Sequence, residues 1–352
     1  MRVLFFVGEF NGGGAERVIS IIANELVERN FDVKILKYHN TENTYRTDER
    51  IKISSVEENT NTRSNTFKNL EWMAKYFKKN ADVVISFLAP FNILALLANM
   101  GSNVLIIVAD RNDPNFVPSS TFRRKLRDLL YRKADAVVVQ TNKNAKYFDY
   151  IKDKVHVIAN PLTLNDNVGL ALKTKKNKRI VSVGRLEAQK NQLMLINTFN
   201  TIHDEFNDYT LTIYGEGSYR KQLEDRIMQL NLNDCVFLPG NENDVFNAIK
   251  DAELFVLSSN YEGMPNALAE AMCLGLPCIS TRVSGSDDLI NDDNGILIDI
   301  GSESQLIESM RKLLSDKDLA DKYAKNACDL ASKLDVSNIT SIWEELIRKV
   351  IK

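Results

Sequence analysis

The sequence predicts an α/β protein built from two doubly wound domains in series, and three observations predict it. Short apolar runs rich in Val, Ile and Phe alternate with amphipathic segments of helical length, the pattern of parallel sheets covered on both faces. The alternation stops at Asn160-Pro161 and restarts at Arg179, after a polar, Lys-rich stretch over 163–178 that reads as an interdomain linker. At 352 residues the chain is too long for one ordinary compact core and fits two.

Taken in order, the first strand is 3–7; its apolar run ends at Gly8-Glu9, too soon for a signal-peptide core. A helix at 15–29, a strand at 32–36, a helix at 65–80 and a strand at 83–87 follow. Strands at 104–108, 136–140 and 155–158 then alternate with helices at 91–100, 119–133 and 142–150. In the second half the strands are 179–183, 210–214, 235–238, 254–257, 278–280 and 296–298. Helices at 191–203, 218–230, 245–250, 266–274 and 304–314 fill the gaps. The tail, 316–351, is helical by pattern and has no strand left to serve. The expected domains are therefore 1–163 and 164–335, with a last helix over 336–352. No repeat with a period of 20 to 50 residues is evident.

Apolar residues make up 44% and charged residues 26%, as in a folded protein rather than a disordered one. The apolar stretch nearest to a membrane span, 87–108, is broken by Pro90, Asn92, Asn99, Gly101, Ser102 and Asn103, and a span needs roughly 20 apolar residues. A cytoplasmic location is expected, peripheral on the inner face of the membrane at most. Cys235, Cys273, Cys278 and Cys328 show no CxxC pairing and no His at zinc spacing, so they read as reduced, buried apolar residues and no metal is expected. The net charge of −2 hides an asymmetry: residues 1–163 carry 24 Lys and Arg against 18 Asp and Glu, whereas 164–352 carry 21 against 29. A basic half beside an acidic half points the first towards something anionic, unless the cations are simply solvated helix faces.

In doubly wound domains function sits in strand-to-helix loops. The first such loop, Asn11-Gly12-Gly13-Gly14-Ala15-Glu16-Arg17, lets backbone approach a ligand and aims helix amides at an anion. It lacks the third glycine of the dinucleotide fingerprint, and Lys37-Tyr38, not an acid, follows the second strand, which disfavours NAD. In the corresponding second-half loop, Arg185 and Lys190 could converge on a diphosphate, in place of a metal ion. Surface cations at a helix start are the plain alternative, weakened because positive charge there opposes the helix dipole. The most specific segment is Tyr261-Glu262-Gly263-Met264-Pro265-Asn266-Ala267-Leu268-Ala269-Glu270-Ala271. Glu262 falls in a loop and Glu270 just over one turn into a helix, and carboxylates so spaced suit the vicinal hydroxyls of a hexose and a ribose. Two acids seven or eight residues apart also occur by chance as ordinary dipole partners.

Together these segments resemble the retaining glycosyltransferases of family 4 with the GT-B fold, in which two Rossmann-like domains face one another across a cleft. Gly13-Gly14-Ala15-Glu16-Arg17 resembles their glycine loop, Gly184-Arg185 with Lys190-Asn191 their phosphate-binding pair, and Glu262 to Glu270 their EX7E motif; the likeness runs in order over nearly the whole chain. The resemblance implies that Arg185 and Lys190 bind the donor diphosphate, Glu270 the ribose and Glu262 the transferred sugar. Gly263, Met264, Pro265, Asn266 and Ala267 would complete the sugar and phosphate contacts, Gly13 and Gly14 would meet the phosphate, and the base would lie near Pro239-Gly240. The last helix would cross back to the first domain. Relatives carry a His or a Ser-Glu-Arg run after the fourth strand; this chain has Ala109-Asp110-Arg111 there, which makes Asp110 and Arg111 candidate catalytic residues facing the cleft by position. None of His39, His156 or His203 falls in that loop.

Two basic amphipathic segments, 67–79 and 123–133, the latter with Arg123, Arg124, Lys125 and Arg127, could meet an anionic membrane surface or simply cover their own sheet. With the similarity to bacterial capsule and O-antigen enzymes, they suggest a glycan acceptor linked to polyprenyl diphosphate. The donor substrate would be a nucleotide diphosphate sugar, UDP by analogy, with no cofactor and no nucleic acid as partner. The alternatives are another GT-B enzyme (a nucleotide-sugar 2-epimerase or a phosphorylase) and a non-catalytic sugar-nucleotide-binding subunit.

Overall fold

A computed structural model describes residues 1–11, 13–60, 62 and 66–352; Gly12 of the glycine loop and Asn65, the expected start of a helix, lie outside the described residues. The chain divides into two compact units, Met1–Pro161 with Leu334–Lys352, and Leu162–Lys333. Each is a parallel sheet with helices, as the alternation predicts.

The first unit runs β1 (Arg2–Val7), α1 (Gly14–Glu28), β2 (Asp32–Lys37), β3 (Lys52–Ser55), α2 (Val56–Thr60), α3 (Thr66–Asn80), β4 (Val83–Phe87), α4 (Ala89–Ala98), β5 (Leu105–Ala109), α5 (Thr121–Tyr131), β6 (Ala136–Val139), α6 (Asn142–Tyr147) and β7 (Val155–Val157). Its sheet has the order β3-β2-β1-β4-β5-β6-β7. The central strands are buried on both sides and Val-, Ile- and Phe-rich for that reason. One face is covered by α1, which buries Val18, Ile19, Ile22, Ala23, Leu26 and Val27 at helical spacing. The other holds Met73 and Phe77 of α3, Ile93 of α4 and Tyr131 of α5.

The second unit runs β8 (Arg179–Val183), α7 (Gln192–His203), β9 (Thr210–Tyr214), α8 (Arg220–Gln229), β10 (Val236–Gly240), α9 (Val245–Ile249), β11 (Leu254–Leu257), α10 (Asn266–Leu274), β12 (Cys278–Thr281), α11 (Ser286–Leu289), β13 (Ile296–Ile298), α12 (Glu303–Ser315) and α13 (Lys317–Ala327), with strand order β10-β9-β8-β11-β12-β13. The helical tail is broken into α13, α14 (Leu330–Leu334) and α15 (Val336–Ile351). The last belongs to the first unit: Ile339, Trp343, Leu346 and Ile347 join the core beneath α1.

Three expectations change. The expected linker is no free tether: Leu162, Leu164 and Ala171 are buried and Gly169 N donates to Cys273 O at 3.0 Å. Strand β3 and helix α2 were not expected; β3 is a four-residue edge strand that buries only Ser55, so no apolar run marks it. Pro239 and Gly240 lie inside β10 rather than in a loop, where an edge strand tolerates a proline that cannot donate to the ladder.

Candidate active site

In the second sheet β8 and β11 are neighbours although β9 and β10 separate them in sequence. Strand order reverses there, and in open α/β sheets ligands bind beyond the carboxyl ends of the strands at such a point. The loops after β8 and β11 therefore emerge side by side, and hydrogen bonds lace them together. Ser258 Oγ donates to Lys190 O at 2.9 Å, Asn260 Nδ2 to Ala188 O at 2.9 Å, and Gln189 Nε2 to Tyr261 O at 2.8 Å.

This lacing brings Lys190 and Glu262 into contact, Nζ to Oε1 2.5 Å, with side chains 17% and 8% exposed. Ser259 Oγ donates to the same carboxylate at 2.7 Å and Gln189 Nε2 at 3.3 Å. Ser259 is fixed in turn by Thr281 Oγ1, which donates to its carbonyl at 2.6 Å. The cation near the start of α7 is thus met by a protein carboxylate, which removes the conflict with the helix dipole. Arg185 differs: its side chain is 66% exposed and, among the described residues, its guanidinium reaches only Glu187, at 3.1 Å, and Gln189, at 3.5 Å. Its backbone is held, since Gln192 Nε2 donates to Arg185 O at 2.9 Å. Under this loop Gly215 has φ +139°, and a Cβ there would stand 2.1 Å from Gly184 O, so only glycine allows the approach.

Helix α10 starts at Asn266 after Pro265, which supplies no side-chain cap, leaving a helix start suited to an anion. Glu270 is buried in it, with Gly263 and Pro265 buried and Met264, Asn266 and Ala267 half-buried ahead of it. Pro239 is exposed and Gly240 buried on β10, two strands from β8.

The first sheet reverses between β1 and β4. Gly13 is the N-cap of α1 and Gly14 its first residue. The Glu16 carboxylate folds back over Gly13, 2.1 Å from where a Cβ would stand, and burial raises its pKa above the ordinary carboxylate range. Asp110 and Arg111, expected to face a cleft by position, are instead almost wholly buried within this unit, 1% and 8% exposed. Asp110 Oδ2 accepts from Tyr131 OH at 3.2 Å, and burial pushes its carboxyl up to about 6 against the pull of Arg127. Arg111 lies over Phe87 at 4.7 Å and Trp343 at 5.6 Å, and donates to Asn160 Oδ1 at 3.0 Å. Burial lowers it to about 9. It fastens α15 under the end of β5.

Arg127, expected on a basic outer face, is fully buried. Its Nη1 donates to Val117 O at 2.8 Å and Pro114 O at 3.1 Å, and its guanidinium covers Tyr147 at 4.9 Å. Arg123 and Lys125 remain exposed and Arg124 half-buried. Sequence reasoning missed Gln189, Ser259 and Trp343; the run Ser258-Ser259-Asn260 directly after a buried strand was the available signal for the second. Among the described residues no group of three or more His, Cys, Asp or Glu is placed to hold a metal ion, and the four cysteines are free. Among the described residues no helix is long and apolar enough to cross a membrane.

Two doubly wound units, each with its strand-order reversal, and the second with a cation and two glutamates around it, define a glycosyltransferase of the GT-B fold that takes nucleotide diphosphate sugars. Two family models divide the chain: Glycosyltransferase Family 4 matches residues 12–166 and Glycosyl transferases group 1 matches residues 170–329. The chain is a GT-B glycosyltransferase related to both families. It is 26% identical, over 99% of both chains, to the Campylobacter jejuni GalNAc-alpha-(1->4)-GalNAc-alpha-(1->3)-diNAcBac-PP-undecaprenol alpha-1,4-N-acetyl-D-galactosaminyltransferase. It is 28% identical, over 94% of both, to the N-acetylgalactosamine-N,N'-diacetylbacillosaminyl-diphospho-undecaprenol 4-alpha-N-acetylgalactosaminyltransferase of the same organism. Among solved structures, Anabaena HepE in complex with UDP superposes with a TM-score of 0.84 at 18% identity, over 99% of this chain and 100% of that one, a likeness of fold.

Proposed function

We propose that the chain transfers a hexose or N-acetylhexosamine from a uridine diphosphate sugar to a glycan carried on polyprenyl diphosphate, in surface polysaccharide synthesis, with retention of anomeric configuration and without a metal ion. The second unit holds the donor and the first the acceptor. The observation that carries the reading is the Lys190–Glu262 pair beside the start of α10 at the strand-order reversal. Arg185, exposed and lightly held, turns onto the donor diphosphate, and Lys190 is shared between Glu262 and a phosphate oxygen. Glu262 and Glu270 accept from hydroxyls of the sugar and the ribose. As the anomeric C–O bond to the diphosphate breaks, negative charge grows on the departing phosphate, and Arg185, Lys190 and the amides opening α10 stabilise it. Removing one such preorganised contact lowers the rate by roughly 10² or more.

The uridine is supported by HepE having been crystallised with UDP, and the lipid-linked acceptor by the undecaprenol diphosphate substrates for which both C. jejuni relatives are named. Phe122 and Leu129, 74% and 62% exposed on α5 beside Arg123 and Lys125, support contact with an anionic membrane where such an acceptor resides.

Thermal unfolding in the presence of a panel of nucleoside diphosphates and their sugars tests the reading. One nucleotide is expected to stabilise, by about 2.7 kcal/mol at a hundred times its Kd, indifferently to EDTA and not in Arg185→Ala. Stabilisation by none of them, or only with added metal, would overturn it.

A further inference from the structure

The second unit contains a cavity of about 860 Å³ at the amino ends of its central strands, the end opposite to the residues above. Lys178, Tyr209, Glu253 and Pro277 line it, each immediately preceding a strand, β8, β9, β11 and β12 in turn, whereas Lys190 and Glu262 follow strands. Segment 172–176 and helices α12 and α13 close it.

Its charge runs against that of its surroundings. Residues 162–333 carry 18 Lys and Arg against 26 Asp and Glu, yet the cavity is lined by Lys175, Lys176, Lys178, Lys317 and Lys325 against Glu253 and Asp321 alone. Several exposed cations of the unit have acidic partners: Lys221 with Asp225, Lys322 with Asp293, Arg282 with Asp287, Arg311 with Glu205 and, on the cavity itself, Lys178 with Asp208. The ammonium groups of Lys175, Lys317 and Lys325 have none among the described residues, and all three sit on this cavity. Lys176 is half-buried, donates to Ala252 O at 2.9 Å, and burial lowers its pKa. Glu253 is already engaged, accepting from Tyr209 OH at 2.5 Å. Between the cations the wall is apolar, formed by Leu172, Leu313, Ala320 and Ala324.

We propose that this cavity is a second ligand site, for a phosphorylated molecule with an apolar body of about nucleoside size. Unpartnered ammoniums around a concave site attract an anion, and a volume in the roughly 300–1,000 Å³ range of small-molecule sites is too large for bare phosphate to fill. The apolar wall would stay wet under an inorganic ion and is covered by a base, ring or chain attached to the phosphate.

Titration of the full chain with the dye anilinonaphthalene sulfonate, an anion with an aromatic body, reads the site. One saturable class is expected. Lys175→Glu/Lys325→Glu, both exposed positions, should weaken it about tenfold or more, since each reversal replaces an attraction by a repulsion. Lys221→Glu should leave it unchanged, and so should Arg185→Ala, which separates this cavity from the proposed donor site. Displacement of the dye by uridine diphosphate assigns the site to a soluble phosphate ester, and displacement only by phosphatidylglycerol vesicles assigns it to a lipid headgroup. Undiminished dye affinity in the double variant, loss of affinity in Arg185→Ala, or displacement by neither phosphate source overturns the proposal.

Discussion

Asp110 and Arg127 face one another across 3.9 Å inside the first unit, both side chains essentially without solvent. Arg127 is too distant for a charge-assisted hydrogen bond, and its attraction loses to the cost of burying a carboxylate, so the Asp110 pKa is pushed up to about 6. Arg111 and Tyr131 are the other titratable groups against it. Because the folded-state pKa lies above the unfolded one, this carboxyl favours folding below about pH 4, and the contribution is lost as pH rises through about 6. Asp110→Asn should flatten that fall. Comparing urea-unfolding free energies of the two proteins at pH 4 and pH 7 should show a difference in slope on the order of 1–3 kcal/mol; parallel profiles would mean that the carboxyl stays ionised. Residues of this kind were the least legible in the sequence. Lys190 and Glu262 could be singled out because each stands in a loop just past an apolar strand, a position set by local pattern. Arg127 shares a helix with exposed cations, and only the long-range fit of its guanidinium between Tyr147 and the carbonyls of Pro114 and Val117 turns it inward.

At the scale of elements, α5 leaves one apolar pair uncovered by the described residues. Leu130 and Tyr131 point inward, while Phe122 and Leu129, seven residues apart and so on one face, are 74% and 62% exposed among Arg123, Lys125 and Arg132. Each apolar side chain inserted into a bilayer interface gains about 1.5–3 kcal/mol at full burial, and the cations add attraction that salt screens. Wild type should float with phosphatidylglycerol vesicles at low salt, and Phe122→Ser/Leu129→Ser should bind at least tenfold more weakly at equal net charge; absence of flotation in the wild type removes the membrane from the proposal. The elements themselves were largely legible. Strands β8, β9, β11 and β13 and helix α10 have the bounds that periodicity assigns them, because a strand buried on both faces must be apolar and a following helix must be amphipathic. Edge strand β3 and the short α2 were not, since neither needs a long apolar run.

For the whole molecule, the path of the chain makes the two units unequal. The second is one continuous segment, Leu162–Lys333, whereas the first is assembled from Met1–Pro161 and Leu334–Lys352. Its core depends on the far end of the chain: Trp343 is fully buried and stacks on Phe87 at 6.1 Å, with Ile339, Leu346 and Ile347 beside it. Leaving those four side chains out forgoes about 1.5–3 kcal/mol each, together about 6–12 kcal/mol, comparable to the roughly 5–15 kcal/mol by which a domain is stable. A fragment of residues 162–333 should therefore unfold cooperatively and keep its stabilisation by nucleotide. Residues 1–161 alone should be unfolded or aggregated, and residues 334–352 supplied as a peptide should restore a cooperative transition. Circular dichroism melts of the three samples decide it: a sharp transition in 1–161 without the peptide would show that α15 is an accessory to the first unit, and failure of 162–333 to fold would show that the second unit needs the first.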